Sequence, residues 1–194
     1  MAKRILIIQG HPDGSTPHLC HALSEAYAQG ARSAGHVVET IDVGQLDFPL
    51  LRSKSDWDKG TLPQSLMASQ LAIKSAEHLV FFFPLWLGGM PALLKGFMEQ
   101  VMRPAVGLFV DGGTRPGRPL SGRSARIVIT MGMPASLYRW YFRAHSLKAL
   151  KRSILGFVGV APVRDTLIGA VEAMDAGRRA QWMERMHDLG RRAA

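Results

Sequence analysis

The first stretch with a potential chemical role is a loop that combines hydroxyl and imidazole side chains with two glycines. It reads Gly10-His11-Pro12-Asp13-Gly14-Ser15-Thr16-Pro17-His18. Where such a loop leads into a helix, the first backbone amides of the helix have no partner and attract an anion such as phosphate. The hydroxyls of Ser15 and Thr16 and the rings of His11 and His18 would add further donors.

Two familiar phosphate motifs do not match this loop. Its glycine spacing differs from that of a dinucleotide fingerprint, and a P-loop would need a lysine followed by serine or threonine. The loop therefore predicts either a phosphate site of another type or only a capped turn. In the capped turn, Thr16 would cap the helix and Pro17 would lie in its first turn.

A second stretch offers a flat apolar surface. It reads Phe83-Pro84-Leu85-Trp86-Leu87-Gly88-Gly89-Met90-Pro91 and follows the most apolar run of the chain. Bulky apolar side chains exclude water and glycines allow close backbone approach, so the stretch suits a flat aromatic ring. The alternative is a packed turn with structural glycines.

A third stretch places backbone donors beside a phenol. It reads Thr130-Met131-Gly132-Met133-Pro134, and Tyr138 follows shortly after. On its own the stretch is equally consistent with an ordinary end of a strand.

These three stretches are separated by alternating strand and helix patterns. Strand patterns cover Lys3 to Gln9, His36 to Val43, Leu79 to Phe83, Arg123 to Met131 and Ala161 to Ile168. Helix patterns cover Pro17 to Gly35, Gln64 to Glu77, Pro91 to Met102, Ser146 to Phe157 and Asp175 to Arg192, and residues 44–63 resemble a surface excursion. Such alternation predicts an α/β three-layer sandwich with a five-stranded parallel sheet of order 2-1-3-4-5, formed by residues 1–194 as one domain.

In that topology all three stretches leave strands at the carboxyl edge of one sheet, where open α/β sheets bind ligands. The combination predicts a nucleotide-like ligand, with its phosphate on the first loop and its flat ring on the other two.

Composition limits the remaining possibilities. The net charge is +9 and the excess of positive charge lies in residues 98–194, which indicates either solvated helix faces or an anionic partner. Aromatic residues are not interleaved with the basic ones, which argues against nucleic acid. The seven histidines have no metal-site spacing, so no metal is expected. The single cysteine, Cys20, and the lack of a leader or membrane span favour the cytoplasm.

At these residues the chain resembles the NAD(P)H quinone reductases of the flavodoxin-like fold. That group includes modulator of drug activity B and the ancillary flavoproteins of bacterial potassium-efflux systems. The resemblance is carried by Gly10-His11-Pro12, Pro84-Leu85-Trp86, the run from Gly89 to Phe97, Thr130-Met131-Gly132 and Ile154-Leu155-Gly156-Phe157.

The resemblance implies a flavin, FAD with FMN as the alternative, and NAD(P)H as co-substrate. His11, Ser15, Thr16, Pro17 and His18 would then hold the phosphates, Pro84 to Leu87 would line the isoalloxazine, and Thr130 to Met133 would donate backbone hydrogen bonds. Arg115 and Arg118 would be available for a 2′-phosphate.

The resemblance also implies a catalytic pair of a tyrosine and a histidine, here Tyr138 and His145, and a homodimeric assembly. The family has a histidine six positions after the tyrosine that corresponds to Tyr138, whereas this chain has Ala144 there and His145 one position later. The acceptor would be a quinone or a similar flat molecule, reduced by a ping-pong mechanism, and the protein would be a homodimer with its site at the interface. The alternative is a flavin-binding regulatory subunit that docks on a potassium-efflux transporter.

Overall fold

The structure is a computed structural model that describes residues 1–103 and 118–194, so Arg115 lies outside the described residues. Its centre is a five-stranded parallel sheet of order β2-β1-β3-β4-β5, which confirms the predicted topology. The strands are β1 (Arg4–Gln9), β2 (Val37–Asp42), β3 (His78–Pro84), β4 (Ser124–Thr130) and β5 (Val163–Ile168).

Helices cover both faces of this sheet. They are α1 (Leu19–Ser33), α2 (Lys54–Lys59), α3 (Met67–Ser75), α4 (Ala92–Met102), α5 (Ala135–Trp140), α6 (His145–Lys148) and α7 (Ala176–Arg191). Short 3₁₀ turns occupy Val43–Gln45 and Gln64–Leu66, and α6 continues into a π-helical segment, Ala149–Leu155. In the described part of the chain, none of the helices has the length and apolar character that crossing a membrane requires.

Alternating residues of the strands supply two apolar cores. Phe81 and Phe83 of β3 belong to the core under α3 and α4, whereas Val80 and Phe82 belong to the core under α1 and α7. All four side chains are completely buried. The continuous apolar run of β3 follows from this burial on both faces.

The helix boundaries differ from the sequence prediction at specific points. His18, not Thr16, is the N-cap of α1, and the helix begins at Leu19. The helix predicted from Gln64 begins as a 3₁₀ turn, and the one predicted from Ser146 is largely π-helical. The short helices α2 and α5 were not predicted from the sequence.

The helices α1 and α7 contact each other closely. A Cβ atom on Gly30 would lie 1.9 Å from the carbonyl oxygen of His187, and one on Gly190 would lie 2.0 Å from the carbonyl oxygen of Tyr27. Glycine at both positions therefore allows the two helix backbones to touch.

Candidate functional site

The structure brings the three predicted stretches together at the carboxyl edge of the sheet. The amide of Gly10 donates to the carbonyl of Phe82 (2.7 Å), and the amide of Leu85 donates to the carbonyl of Thr130 (2.7 Å). The rings of His11 and Trp86 lie 6.0 Å apart and nearly perpendicular. The carboxyl edge of the sheet thus brings together residues from the first loop, from the end of β3 and from the end of β4.

In the first loop, the carboxylate of Asp13 is the centre of a hydrogen-bond network. Its Oδ1 accepts hydrogen bonds from the amide (2.8 Å) and the hydroxyl (2.6 Å) of Ser15. Its Oδ2 accepts one from the Thr16 hydroxyl (2.6 Å) and lies 2.9 Å from His18 Nε2. Three of the five residues predicted to bind phosphate, Ser15, Thr16 and His18, therefore meet at one carboxylate.

Three histidines stand around this network. The rings of His11 and His18 are stacked at 3.8 Å, and His21 lies 5.5 Å from His11. Burial and the neighbouring ring of His18 lower the pKa of His11. Nε2 of His21 is buried and has no hydrogen-bond partner among the described residues, so the first turn of α1 holds an unused polar atom next to the loop.

The second stretch forms an exposed apolar ledge. Trp86 and Gly89 exchange two backbone hydrogen bonds of 2.9 Å, which closes a tight turn around Leu87 and Gly88. Both turn residues have positive φ, 46° and 77°. The turn leaves Leu87 fully exposed and Trp86 half exposed, while Pro84 and Leu85 are partly buried beneath them.

In the third stretch only part of the backbone is free to bind a ligand. The amide of Met131 already donates to the carbonyl of Ile168 (2.9 Å), so it is not available. The amides of Gly132 and Met133 donate to no other group in the described ranges. Thr130 is buried, and its hydroxyl lies 3.1 Å from Cys20 Sγ, which places the lone cysteine in the core as a packing residue.

Two acidic residues and one histidine join the site without having been predicted. Asp13 and His21 belong to the first loop and to α1, and Glu172 approaches the third stretch, where its Oε1 would lie 3.2 Å from a Cβ on Gly132. Aspartate between proline and glycine suggests only a turn, so the sequence carries no signal for its role here. Glu172 is distant in sequence from the third stretch, so only the folded structure shows that it lies beside Gly132.

Tyr138 and His145, the two residues predicted to be catalytic, lie near one another in the chain but in different surroundings. Tyr138 is buried, and its hydroxyl accepts a hydrogen bond from the amide of Leu147 (3.2 Å). Burial raises the pKa of this phenol. His145 is exposed at the start of α6 and has no hydrogen bond to Tyr138 within residues 1–103 and 118–194.

Replacing Tyr138 with phenylalanine is expected to lower the free energy of unfolding by about 1–2 kcal/mol, because the buried amide of Leu147 loses its acceptor. Urea unfolding measures this change. The matched control is Tyr141→Phe, since Tyr141 is an exposed tyrosine of the same region and should tolerate the change without effect. Equal stability of the two variants would show that the Leu147 hydrogen bond contributes nothing.

Asp165 of β5 links α5 to the π-helical segment. It accepts hydrogen bonds from Arg139 Nη2 and from Lys151 Nζ, both at 2.7 Å, and its side chain is only 14% exposed. Burial alone would raise the pKa of Asp165, but the hydrogen bonds from Lys151 and Arg139 outweigh it and hold the pKa below its ordinary value. The ion pair therefore stabilises the segment that carries Tyr138.

Acid is expected to remove this stabilisation. The folded-state pKa of Asp165 lies below the unfolded value of about 3.9, so the contribution is present above that pH and is lost as the pH falls through the folded-state pKa. Asp165→Asn should cost about 1 kcal/mol near neutral pH, because partly exposed partners screen the pair. The difference from wild type should shrink below about pH 4. Urea titrations across this range test the claim, with the exposed pair of Asp58 and Lys54 as control; a difference that does not vary with pH contradicts it.

Comparison with known proteins identifies relatives along nearly the whole chain. An uncharacterized NAD(P)H oxidoreductase of Haemophilus influenzae is 25% identical over 183 residues, which cover 92% of this chain and 90% of the relative. An FMN-dependent NADH:quinone oxidoreductase of Nitratidesulfovibrio vulgaris is 27% identical over 185 residues, covering 84% and 85% of the two chains.

A solved structure of similar architecture is the NAD(P)H:quinone oxidoreductase from Methanothermobacter marburgensis. Its TM-score is 0.79 at 26% identity, with 98% of this chain and 96% of that chain covered. The model of the Flavodoxin_2 family, described as a flavodoxin-like fold, matches residues 3–189. Because that match spans almost all of the sequence and the strand order agrees with it, the chain belongs to the Flavodoxin_2 family.

Proposed function

We propose that this chain is a single-domain, flavin-dependent NAD(P)H:quinone oxidoreductase. The observation that carries the proposal is the convergence of an anion-holding loop, an exposed apolar ledge and two free backbone amides at one edge of the sheet. The relatives from Nitratidesulfovibrio vulgaris and Methanothermobacter marburgensis carry names that state this type of activity.

The residues present fit a flavin. Ser15, Thr16 and His18 already surround a carboxylate, and His21 has an unused buried nitrogen next to them. This donor set suits a phosphate, together with His11, while Pro17 contributes no amide hydrogen.

The ring would lie on Pro84 to Leu87 and receive hydrogen bonds from the amides of Gly132 and Met133. When bound, the flavin supplies hydride exchange between NAD(P)H and a quinone in a ping-pong sequence. The protein's contribution is to fix the ring, to exclude water with Trp86 and Leu87, and to present donors at its edge.

The roles of Tyr138 and His145 differ in this proposal. Tyr138 holds the start of α6 through its bond to Leu147, and this positions His145 at the surface. The exposed imidazole of His145 is the group that exchanges a proton with the bound acceptor, since either ring nitrogen of an imidazole can donate or accept one.

The identity of the flavin and the assembly belong to the same proposal. FAD is the sequence-based prediction with FMN as its alternative, and the Nitratidesulfovibrio vulgaris relative is named as FMN-dependent. A homodimer is supported by the exposed aromatic side chain of Trp140 in α5. A cytoplasmic location is supported by the single free and buried Cys20. The alternative function, an ancillary flavoprotein of a potassium-efflux transporter, would use the same flavin site but would bind the transporter as its partner.

A visible spectrum of the purified protein, with mass analysis of the released cofactor, tests the proposal. We expect a yellow protein that is bleached anaerobically by NADH or NADPH and recovers its colour when a water-soluble quinone is added. Light scattering of the same sample measures the assembly. A protein that stays colourless after incubation with both FMN and FAD contradicts the proposal.

A further inference from the structure

The carboxylate of Asp13 occupies the position in which the first loop would hold a phosphate. Its contacts are the amide and hydroxyl of Ser15, the hydroxyl of Thr16 and Nε2 of His18, at 2.6–2.9 Å. We call these donors the phosphate cradle. They belong to Ser15, Thr16 and His18, three of the residues to which the proposed function assigns the flavin phosphate.

A hydroxyl group carries one hydrogen and can donate it to one acceptor at a time. In the structure the hydrogens of both hydroxyls are directed to Asp13. Ser15 and Thr16 therefore cannot donate to a phosphate while they donate to Asp13. Occupancy of the phosphate cradle by the carboxylate and by a phosphate is mutually exclusive.

The negative charge of Asp13 also opposes the binding of a phosphate. The hydrogen bonds from Ser15, Thr16 and His18 hold the pKa of Asp13 far below its ordinary value, so the carboxylate is ionised across the physiological range. A phosphate entering beside it meets a like charge within a few ångströms, and like charges at that distance repel. The rings of His11, His18 and His21 lie beside the cradle, and the lowered pKa of His11 favours its neutral form, which carries no charge to offset this repulsion.

We propose that Asp13 is a resident anion of the phosphate cradle, that the flavin phosphate binds by displacing its carboxylate, and that Asp13 thereby weakens the binding of phosphate-bearing flavins. The proposal rests on the proposed function for the identity of the ligand. In the protein without cofactor, Asp13 keeps the cradle's donors in place and satisfied. In the loaded protein it competes for them, which favours exchange of the cofactor.

Flavin binding by the cofactor-free protein tests this inference. Quenching of flavin fluorescence gives the Kd for FMN and for riboflavin, which has the same ring without the phosphate. Asp13→Asn and Asp13→Ala should each lower the Kd for FMN by about tenfold, the change that corresponds to removing one competing charge-assisted contact. The Kd for riboflavin should stay within about twofold of wild type, well inside that effect.

The matched control is Glu25→Gln, which removes a negative charge from an exposed position of α1 outside the cradle. It should leave both affinities unchanged. An FMN affinity that is unchanged or weaker in both Asp13 variants overturns the inference and shows that Asp13 organises the loop for the phosphate. Equal tightening for FMN and riboflavin also overturns it, because the effect would then not involve the phosphate.

Failure of the proposed function gives a different result. If the wild-type protein binds neither flavin, the same variants are titrated calorimetrically with inorganic phosphate. Tighter phosphate binding by Asp13→Asn and Asp13→Ala than by wild type still supports a resident anion. Phosphate binding that does not differ between the three proteins overturns it.

Discussion

Replacing Gly30 with alanine is expected to lower the free energy of unfolding by about 2 kcal/mol, which combines two opposing effects. A Cβ atom at this position would lie 1.9 Å from the carbonyl oxygen of His187 in α7. That neighbour is backbone, so it cannot rotate away as a side chain would. The helices α1 and α7 would have to separate, which disturbs the apolar core between them and the sheet.

Whether Gly30→Ala stabilises or destabilises the protein depends on two free-energy contributions, the gain in helix propensity and the steric cost of the added Cβ atom. Alanine in a helix interior is favoured over glycine by about 1 kcal/mol. Forcing extra volume into a well-packed contact costs about 1–3 kcal/mol or more, and a contact of this length lies at the upper end. The steric cost therefore exceeds the gain in helix propensity.

Gly177→Ala is the control that measures the difference in helix propensity without the steric clash. Gly177 lies in α7 at an exposed position, where a Cβ atom would meet only a side-chain oxygen of Asp175 at 3.3 Å. Gly177→Ala should leave stability unchanged or raise it by up to about 1 kcal/mol. Urea unfolding of the two variants compares them directly. If Gly30→Ala is as stable as Gly177→Ala, the close helix contact does not exist in solution.

The sheet could be predicted from the sequence because each strand is a compact apolar run between turn residues. Leu79 to Phe83 has one interpretation in an alternating α/β chain, a central parallel strand, and the structure agrees. The short helices α2 and α5 could not be predicted, since six residues are too few to show a periodic pattern. The ion pair between Arg139 of α5 and Asp165 of β5 is one tertiary contact that the local sequence does not show.

The candidate site was predictable in its location but not in its internal bonding. The topology rule places the ends of β1, β3 and β4 at one edge, and the contacts of Gly10 and Leu85 agree with it. Which donors are free depends on partners far away in sequence, as the bond from Met131 to Ile168 shows. The same reason explains why Asp13 resembles a turn residue in the sequence but becomes the centre of the phosphate cradle in the structure.

Placing a second carboxylate in the phosphate cradle gives the largest expected effect on cofactor binding. Ser15→Asp removes one hydroxyl donor, worth about 1.5–3 kcal/mol when its partner is charged. It also adds a negative charge next to the phosphate, worth about 1–4 kcal/mol at 4 Å, depending on the effective dielectric constant. Together these effects, about 2.5–7 kcal/mol, raise the expected Kd for FMN by at least about fiftyfold.

The fold should tolerate this change because Ser15 is exposed in the loop before α1. Ser15→Ala isolates the lost donor and should raise the Kd by about tenfold. Ser55→Asp adds the same charge at an exposed position of α2 and should have no effect. Riboflavin affinity should change little in any of the three variants, since the added charge opposes only the phosphate. A Kd for FMN that is the same in Ser15→Asp as in wild type would show that the phosphate binds elsewhere, and the assignment of the first loop would then be wrong.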